Sequence, residues 1–271
     1  MITDFIYDGR RLSDYGCTVV LFDDSRTGKI DTDSQYSFNH ISLMRGKRQP
    51  FITSVYEDPL KMEFYIAKNA CTLEGNLKTS ELIISPLNMA TIKRWLVRPT
   101  PHKLSVVGDG YDSYYWNGSF NLEEYVFGDG RVGAHLTFEC DAPFGYHQDV
   151  TFTDELEADG IYTFDCVSDE IGWLYPNSFE IKIKQDGNLE IENLSDGRKT
   201  KINNCLTGEV IKFDKNLQIT SSDLSHKIAN DFNYTYYRIN NGLGSVENTI
   251  KTNLPISFKM TYSPIAKVVI V

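Results

Sequence analysis

The chain has 271 residues, 41% of them hydrophobic and 13% aromatic, with a formal net charge of −10 from 27 Lys and Arg against 37 Asp and Glu. This composition supports packed cores over disorder, the length exceeds the usual single domain, and no run of about 18 apolar residues is present to span a bilayer, so a soluble protein of two domains is expected. The acidic balance disfavours nucleic acid and anionic membrane as partners.

Met1 leads into Thr3-Asp4-Phe5 without a basic or apolar leader, and no secretory signal is expected. Cys17, Cys71, Cys140, Cys166 and Cys205 are widely spaced and form no C-x-x-C pair, which reads as buried free thiols. The five histidines are equally scattered, so neither a metal nor another cofactor is implied.

From Phe5 to Phe22, short apolar alternations broken at Asp8-Gly9 and Tyr15-Gly16 read as a hairpin-like start. Tyr36 to Phe38, Ile52 to Tyr56 and Met62 to Ile66 are β-rich, with room between them for a projecting hairpin. The basic run Arg45-Gly46-Lys47-Arg48 reads as a solvated loop tip. Ser85-Pro86 is an N-cap followed by proline at the first helical position, so a helix starts there. Met89, Ile92 and Leu96 then form one apolar stripe, with Lys93 and Arg94 facing away and Trp95 beside it, at the edge of the core or at an interface. Pro99 and Pro101 end the helix.

After the helix the period becomes two. Leu104 and Val106 open a strand, Asp109-Gly110 turns, and Tyr114, Trp116, Gly118 and Phe120 alternate on the next. Val132, Ala134, Leu136, Phe138 and Cys140 share one face of a half-buried strand that stops at Asp141-Ala142-Pro143-Phe144. Asp149 to Gly160 is acidic and poor in aliphatics, placing a boundary near residue 148 between domains 1–148 and 149–271. Beyond it, Phe179, Ile181 and Ile183, the Asp186-Gly187 turn, and Leu189 and Ile191 read as a hairpin. Val210 to Phe213, Tyr234 to Ile239 and Ile256 to Tyr262 add strands, which indicates a sandwich or jelly roll.

Nothing here argues for an enzyme, and none is expected. The neighbours in Glu123-Glu124 and in Asp154-Glu155 point to opposite faces of a strand and cannot share a substrate. Gly108-Asp109-Gly110 and Gly128-Asp129-Gly130 open no helix after a buried strand, so they are turns and not phosphate loops.

One resemblance covers most of the chain. Ile92-Lys93-Arg94-Trp95-Leu96, Lys103-Leu104, the run Leu136 to Pro143, and Tyr146, preceded by Phe5, Tyr7-Asp8-Gly9, Leu12 and Tyr15-Gly16, resemble in order and spacing the distal tail protein family of siphophages, the long-tailed non-contractile phages. The resemblance implies a mainly β fold: an N-terminal β-sandwich-like, ring-forming domain with one α-helix and a projecting β-hairpin, then a C-terminal galectin-like β-sandwich. It further implies a structural virion protein at the distal end of the tail, made in the host cytoplasm and assembled as a homo-hexameric baseplate hub. Such a hub joins the tail tube protein to the tail-tip or tail-associated protein and, in many relatives, anchors receptor-binding proteins for host adsorption. Met89, Ile92, Trp95, Leu96, Leu136 and Phe138 are the expected helix and core residues. DNA passes through the lumen of such a ring, so its wall is expected to be neutral to negative, with Arg45, Lys47 and Arg48 turned away or paired.

The alternative is a carbohydrate-binding β-sandwich module acting in host-surface adhesion, with Trp173, Tyr175, Tyr234, Tyr236 and Tyr237 as candidate glycan-facing aromatics. Relatives that bind sugar often carry a large inserted domain, for which this chain has no room. A hexamer in solution favours the hub, and a glycan-binding monomer favours the module.

Overall fold

The computed structural model describes residues 2–20, 36–41, 51–56, 58–70, 78–108, 110–242 and 244–268, with 36–41, 51–56 and Thr79 described as backbone only. Arg45, Lys47, Arg48, Cys71 and Asp109 lie outside the described residues. The chain divides into two compact units, Met1–Tyr146 with Lys267–Val271, and His147–Ala266.

The first unit contains β1 (Asp4–Tyr7), β2 (Arg10–Arg11), β3 (Cys17–Val20), β4 (Tyr36–Ile41), β5 (Phe51–Tyr56), β6 (Lys61–Lys68), α1 (Pro86–Leu96), β7 (His102–Val107), β8 (Tyr114–Phe127) and β9 (Gly130–Cys140). A short β10 (Gly145–His147) runs across the division, its first two residues in this unit. Seven of these strands follow the order β2-β1-β7-β8-β9-β6-β3, while β4 and β5 form a separate antiparallel hairpin.

α1 forms where the cap chemistry directs. Ser85 is extended and its Oγ accepts the Asn88 N–H at 3.2 Å, Pro86 takes the first helical position, and the Val97 N–H closes the last turn on the Lys93 carbonyl at 2.9 Å. Its inner face buries Met89, Ile92, Trp95 and Leu96 against a core that includes Phe5, Tyr7, Phe64, Trp116, Phe120, Leu136 and Phe138. The Trp95 Nε1–H donates to the Tyr7 carbonyl at 3.0 Å, which satisfies the one polar atom that a buried indole carries. Gly118 permits the tightest approach in this sheet, since a Cβ there would lie 2.3 Å from the Glu139 carbonyl oxygen and 2.7 Å from the Phe138 ring.

The second unit contains β11 (Val150–Leu156), β12 (Ile161–Ser168), β13 (Gly172–Leu174), β14 (Ser178–Ile183), β15 (Gly187–Asn193), β16 (Arg198–Cys205), β17 (Val210–Asp214) and β18 (Ile219–Ser221). There follow α2 (Ile228–Asp231), β19 (Ile239–Asn241), β20 (Gly244–Thr252), β21 (Ile256–Tyr262) and β22 (Ile265–Ala266). One sheet runs β11-β21-β14-β17-β18 and another β12-β20-β15-β16; their alternate side chains, among them Phe179, Ile181, Ile211 and Phe258 from one and Phe164, Leu189, Ile191 and Ile250 from the other, share one core. The protein is therefore mainly β, with the β-sandwich character expected.

Two local expectations fail. The stretches flanking Asp186-Gly187 are strands but not a hairpin, because β14 pairs with β17 and β21 whereas β15 pairs with β16 and β20. A two-residue hairpin turn of the Asn-Gly kind needs left-handed φ at both central residues. Here Asp186 keeps a negative φ, Gly187 sits at +153°, and the Asp186 carboxylate is held by the Thr207 N–H and Oγ–H at 2.6 Å each, so the chain crosses between the two sheets. The expected strand from Tyr234 to Ile239 shrinks to β19. Tyr234 adopts φ +54°, and Asn233 Oδ1 accepts the N–H groups of Thr235 and Lys201 at 3.1 Å each, an Asx-type turn that displaces the ladder.

Candidate functional site

Among the described residues of the first unit, the end of the β8–β9 hairpin brings together three consecutive exposed large apolar side chains. Up to Phe120 the strands bury alternate residues, but Tyr125, Val126 and Phe127 are 42%, 61% and 74% exposed. Pairing continues to Phe127 and Gly130 across a register shift at Tyr125/Val126, and Gly128 turns the chain at φ +60°. The end is braced from two sides. Arg131 Nε meets Glu124 Oε2 at 2.5 Å, and the Ile84 N–H donates to the Arg131 carbonyl at 2.8 Å. Gly130 leaves room for Ile83 beneath it, since a Cβ there would lie 2.7 Å from Ile83 Cδ1 and the isoleucine would have to shift. The apolar side chains are thus displayed on a paired, fastened ribbon.

On the same sheet, His135 stacks on Tyr65 with ring centroids 4.7 Å apart, and Tyr65 stacks on Tyr125 at 6.3 Å. Glu63 and Glu123 approach the imidazole nitrogens at 3.4 and 3.7 Å. Basic side chains gather elsewhere: Arg10 and Arg11 lie exposed on terminal strand β2, and Lys93 and Arg94 lie exposed in the last turn of α1.

The candidate aromatics of the second unit differ in surroundings. Trp173 on β13 is 39% exposed, but Arg238 lies 4.0 Å over its ring and is held there by Asp196 at 2.6 Å. Tyr175 is 42% exposed. Tyr234 packs on Phe232 and donates its hydroxyl to the Ala229 carbonyl at 2.8 Å, Tyr236 lies against Phe232 and Phe213, and Tyr237 is buried. A polar groove of about 230 Å³ is lined by Asp159, Glu190, Glu192, Lys199 and Lys251, and its Glu190 is engaged by Lys199 and by Lys201.

A buried ionic cluster in this unit escaped the sequence reading. His226 Nδ1 lies 2.6 Å from Glu209 Oε1 and its Nε2 3.2 Å from Asp231 Oδ2, while Glu209 also accepts the Leu206 N–H at 3.0 Å and the Ser221 hydroxyl. Burial lowers the imidazole pKa, but the two carboxylates outweigh it and hold His226 above its ordinary value. Both ring nitrogens face carboxylates and Ser221 faces Glu209, so the cluster holds segments together and presents no activated nucleophile. Cys17, Cys140, Cys166 and Cys205 are buried free thiols, and burial pushes Cys17 and Cys205 up to about 11, far from thiolate reactivity.

A family model described as "Phage tail protein N-terminal domain" matches residues 1–142, and one described as "Phage tail C-terminal domain" matches residues 144–262. The fold is similar to the crystal structure of the phage SPP1 Dit (gp 19.1) protein, a paradigm of hub adsorption apparatus in Gram-positive infecting phages. The TM-score is 0.62 at 13% identity, over 97% of this chain and 99% of that one. No curated protein sequence matches the chain.

Proposed function

The chain belongs to a phage tail protein family, and from that membership we propose that it is the distal tail hub, a ring of six that connects the tail tube to the tail tip and anchors host-adsorption components. The observation that carries this reading is the likeness in fold to the SPP1 Dit protein along nearly the whole chain, coinciding with family matches over both units. Residues 1–148 form the ring in this reading and residues 149–271 a galectin-like sandwich. The exposed apolar hairpin end of the first unit supports it, since surfaces of that kind are covered in assemblies. The test is sedimentation velocity on the purified chain: a species of about six times the 30.9 kDa chain mass is expected, and a monomer at high concentration overturns the ring.

The excess of 37 acidic over 27 basic residues suits a channel wall past which DNA slides. Tight, salt-sensitive duplex binding by the assembled ring, lost on changing Arg45, Lys47 and Arg48 to alanine, would overturn that part. Carbohydrate binding is the second reading and draws on the exposure of Trp173 and Tyr175. It ranks lower because Arg238 already occupies one face of the indole. Glycan binding by a monomeric chain would reverse the ranking.

A further inference from the structure

A ring of more than two identical subunits closes through heterologous contacts, so each copy must carry two different patches that fit each other. The first unit carries two exposed patches of opposite charge. One is the β8–β9 hairpin end, where exposed Val126 and Phe127 are followed by exposed Asp129 in the turn and preceded on β8 by Glu123, which faces His135 and whose side chain is 86% exposed.

The other patch lies where β2, the terminal strand of the sheet, meets the last turn of α1. Arg10 Nη1 donates to the Tyr15 hydroxyl at 3.3 Å, and the Tyr15 ring stacks on Trp95 at 4.5 Å, which joins the Arg10–Arg11 edge to the end of the helix. α1 contains no acidic residue, and Lys93 and Arg94 are exposed on it. The nearby carboxylates are committed, Asp8 to Arg98 at 2.6 Å and Asp14 to the Arg11 backbone N–H at 3.2 Å. Val97, 38% exposed, adds apolar surface.

The helix itself keeps the patches apart. Ile84, just before it, is bonded to Arg131 at the root of the hairpin end, while Trp95 near its other end is bonded to Tyr7 of β1. An eleven-residue helix spans about 16 Å.

Building on the ring reading, we propose that the β8–β9 hairpin end of one copy docks on the Arg10–Arg11–Arg94 edge of the next copy. Phe127 and Val126 cover Val97 and the aliphatic stems of the arginines, and Glu123 and Asp129 meet the guanidinium groups. The occupant is a second copy because one unit supplies both complementary halves.

The test is charge exchange on the full chain, read by sedimentation velocity across protein concentration. Glu123→Lys with Asp129→Lys, and separately Arg10→Glu with Arg94→Glu, should each move the assembly midpoint to at least about tenfold higher concentration, since like charges then oppose each other at every contact. Mixing the two double variants should restore assembly in the mixture, because each then finds the opposite charge on its neighbour. All four positions are exposed, and circular dichroism checks that the variants fold as the parent does. If the unmodified chain forms the ring but neither charge reversal weakens it, or mixing restores nothing, this contact is overturned and the ring stands. If the unmodified chain never assembles, the ring reading falls, and the contact with it.

Discussion

In the first unit the described buried set is apolar throughout, from Phe5 and Tyr7 to Cys140, whereas the second buries Ser168, Asn193, Thr200, Glu209, Asn241, Asn248 and Thr252 to 4% exposure or less. The first core is specified by shape: Phe5, Tyr7 and Phe138 pack around Phe120 with ring centroids 4.8 to 5.4 Å away. The second is specified partly by directed bonds. Asn248 Oδ1 accepts from Asn193 Nδ2 at 2.9 Å and the Asn240 N–H at 2.6 Å, and its Nδ2 donates to the carbonyls of Asn240 and Val246 at 2.9 and 3.2 Å. A helix lying on a sheet meets it chiefly through apolar side chains, so volume carries most of the specification there, with the Trp95 indole bond to the Tyr7 carbonyl as a directed exception. Two sheets joined by irregular crossings leave backbone groups outside any ladder, and side-chain amides satisfy them.

The contrast can be broken at either core. Phe138→Ala should cost about 3 to 5 kcal/mol in denaturant titration, since it removes a fully buried ring and leaves a cavity. A loss below about 1 kcal/mol would mean that the first core collapses around the gap and is not specified by shape. Asn248→Leu keeps the volume but leaves buried partners unsatisfied, at a cost of about 1 to 3 kcal/mol. A neutral or stabilising result would remove the polar half of the comparison.

The ionic cluster sharpens it further. Because His226 is held above its ordinary pKa in the folded state, its contribution is complete below about pH 6.5 and is lost as pH rises through the folded value. The thermal midpoint should therefore fall more steeply over that rise than in His226→Gln; equal slopes would refute the linkage. The smallest effect concerns the helix cap, where Ser85→Ala should cost about 1 kcal/mol and Lys93→Ala less than about 0.5 kcal/mol, both read from chemical denaturation. Equal losses would show that Ser85 does not cap α1.

The hairpin end at Gly128-Asp129-Gly130 could be read as a turn from its residues, but not as a surface. Exposure of Val126 and Phe127 records that no other described segment covers them, and no property of those residues predicts it. The basic edge was equally dispersed, with Arg10 and Arg94 far apart in sequence and brought together through Tyr15 and Trp95.

What the sequence determined by itself was whatever short-range chemistry controls. Ser85-Pro86 starts a helix because cap and ring act within one turn, and the alternation from Ala134 to Cys140 selects a buried face because strand geometry repeats every two residues. Tertiary structure decided the rest. Asp186-Gly187 crosses between sheets because Thr207, 21 residues onward, holds Asp186, and Tyr234 leaves its expected strand because Asn233 is bound by residues of β16. His226 is held above its ordinary pKa only because the fold brings Glu209, from 17 residues away, and Asp231 against it. Each of these rests on partners that folding supplies, and a residue's own type and its near neighbours carry no record of them.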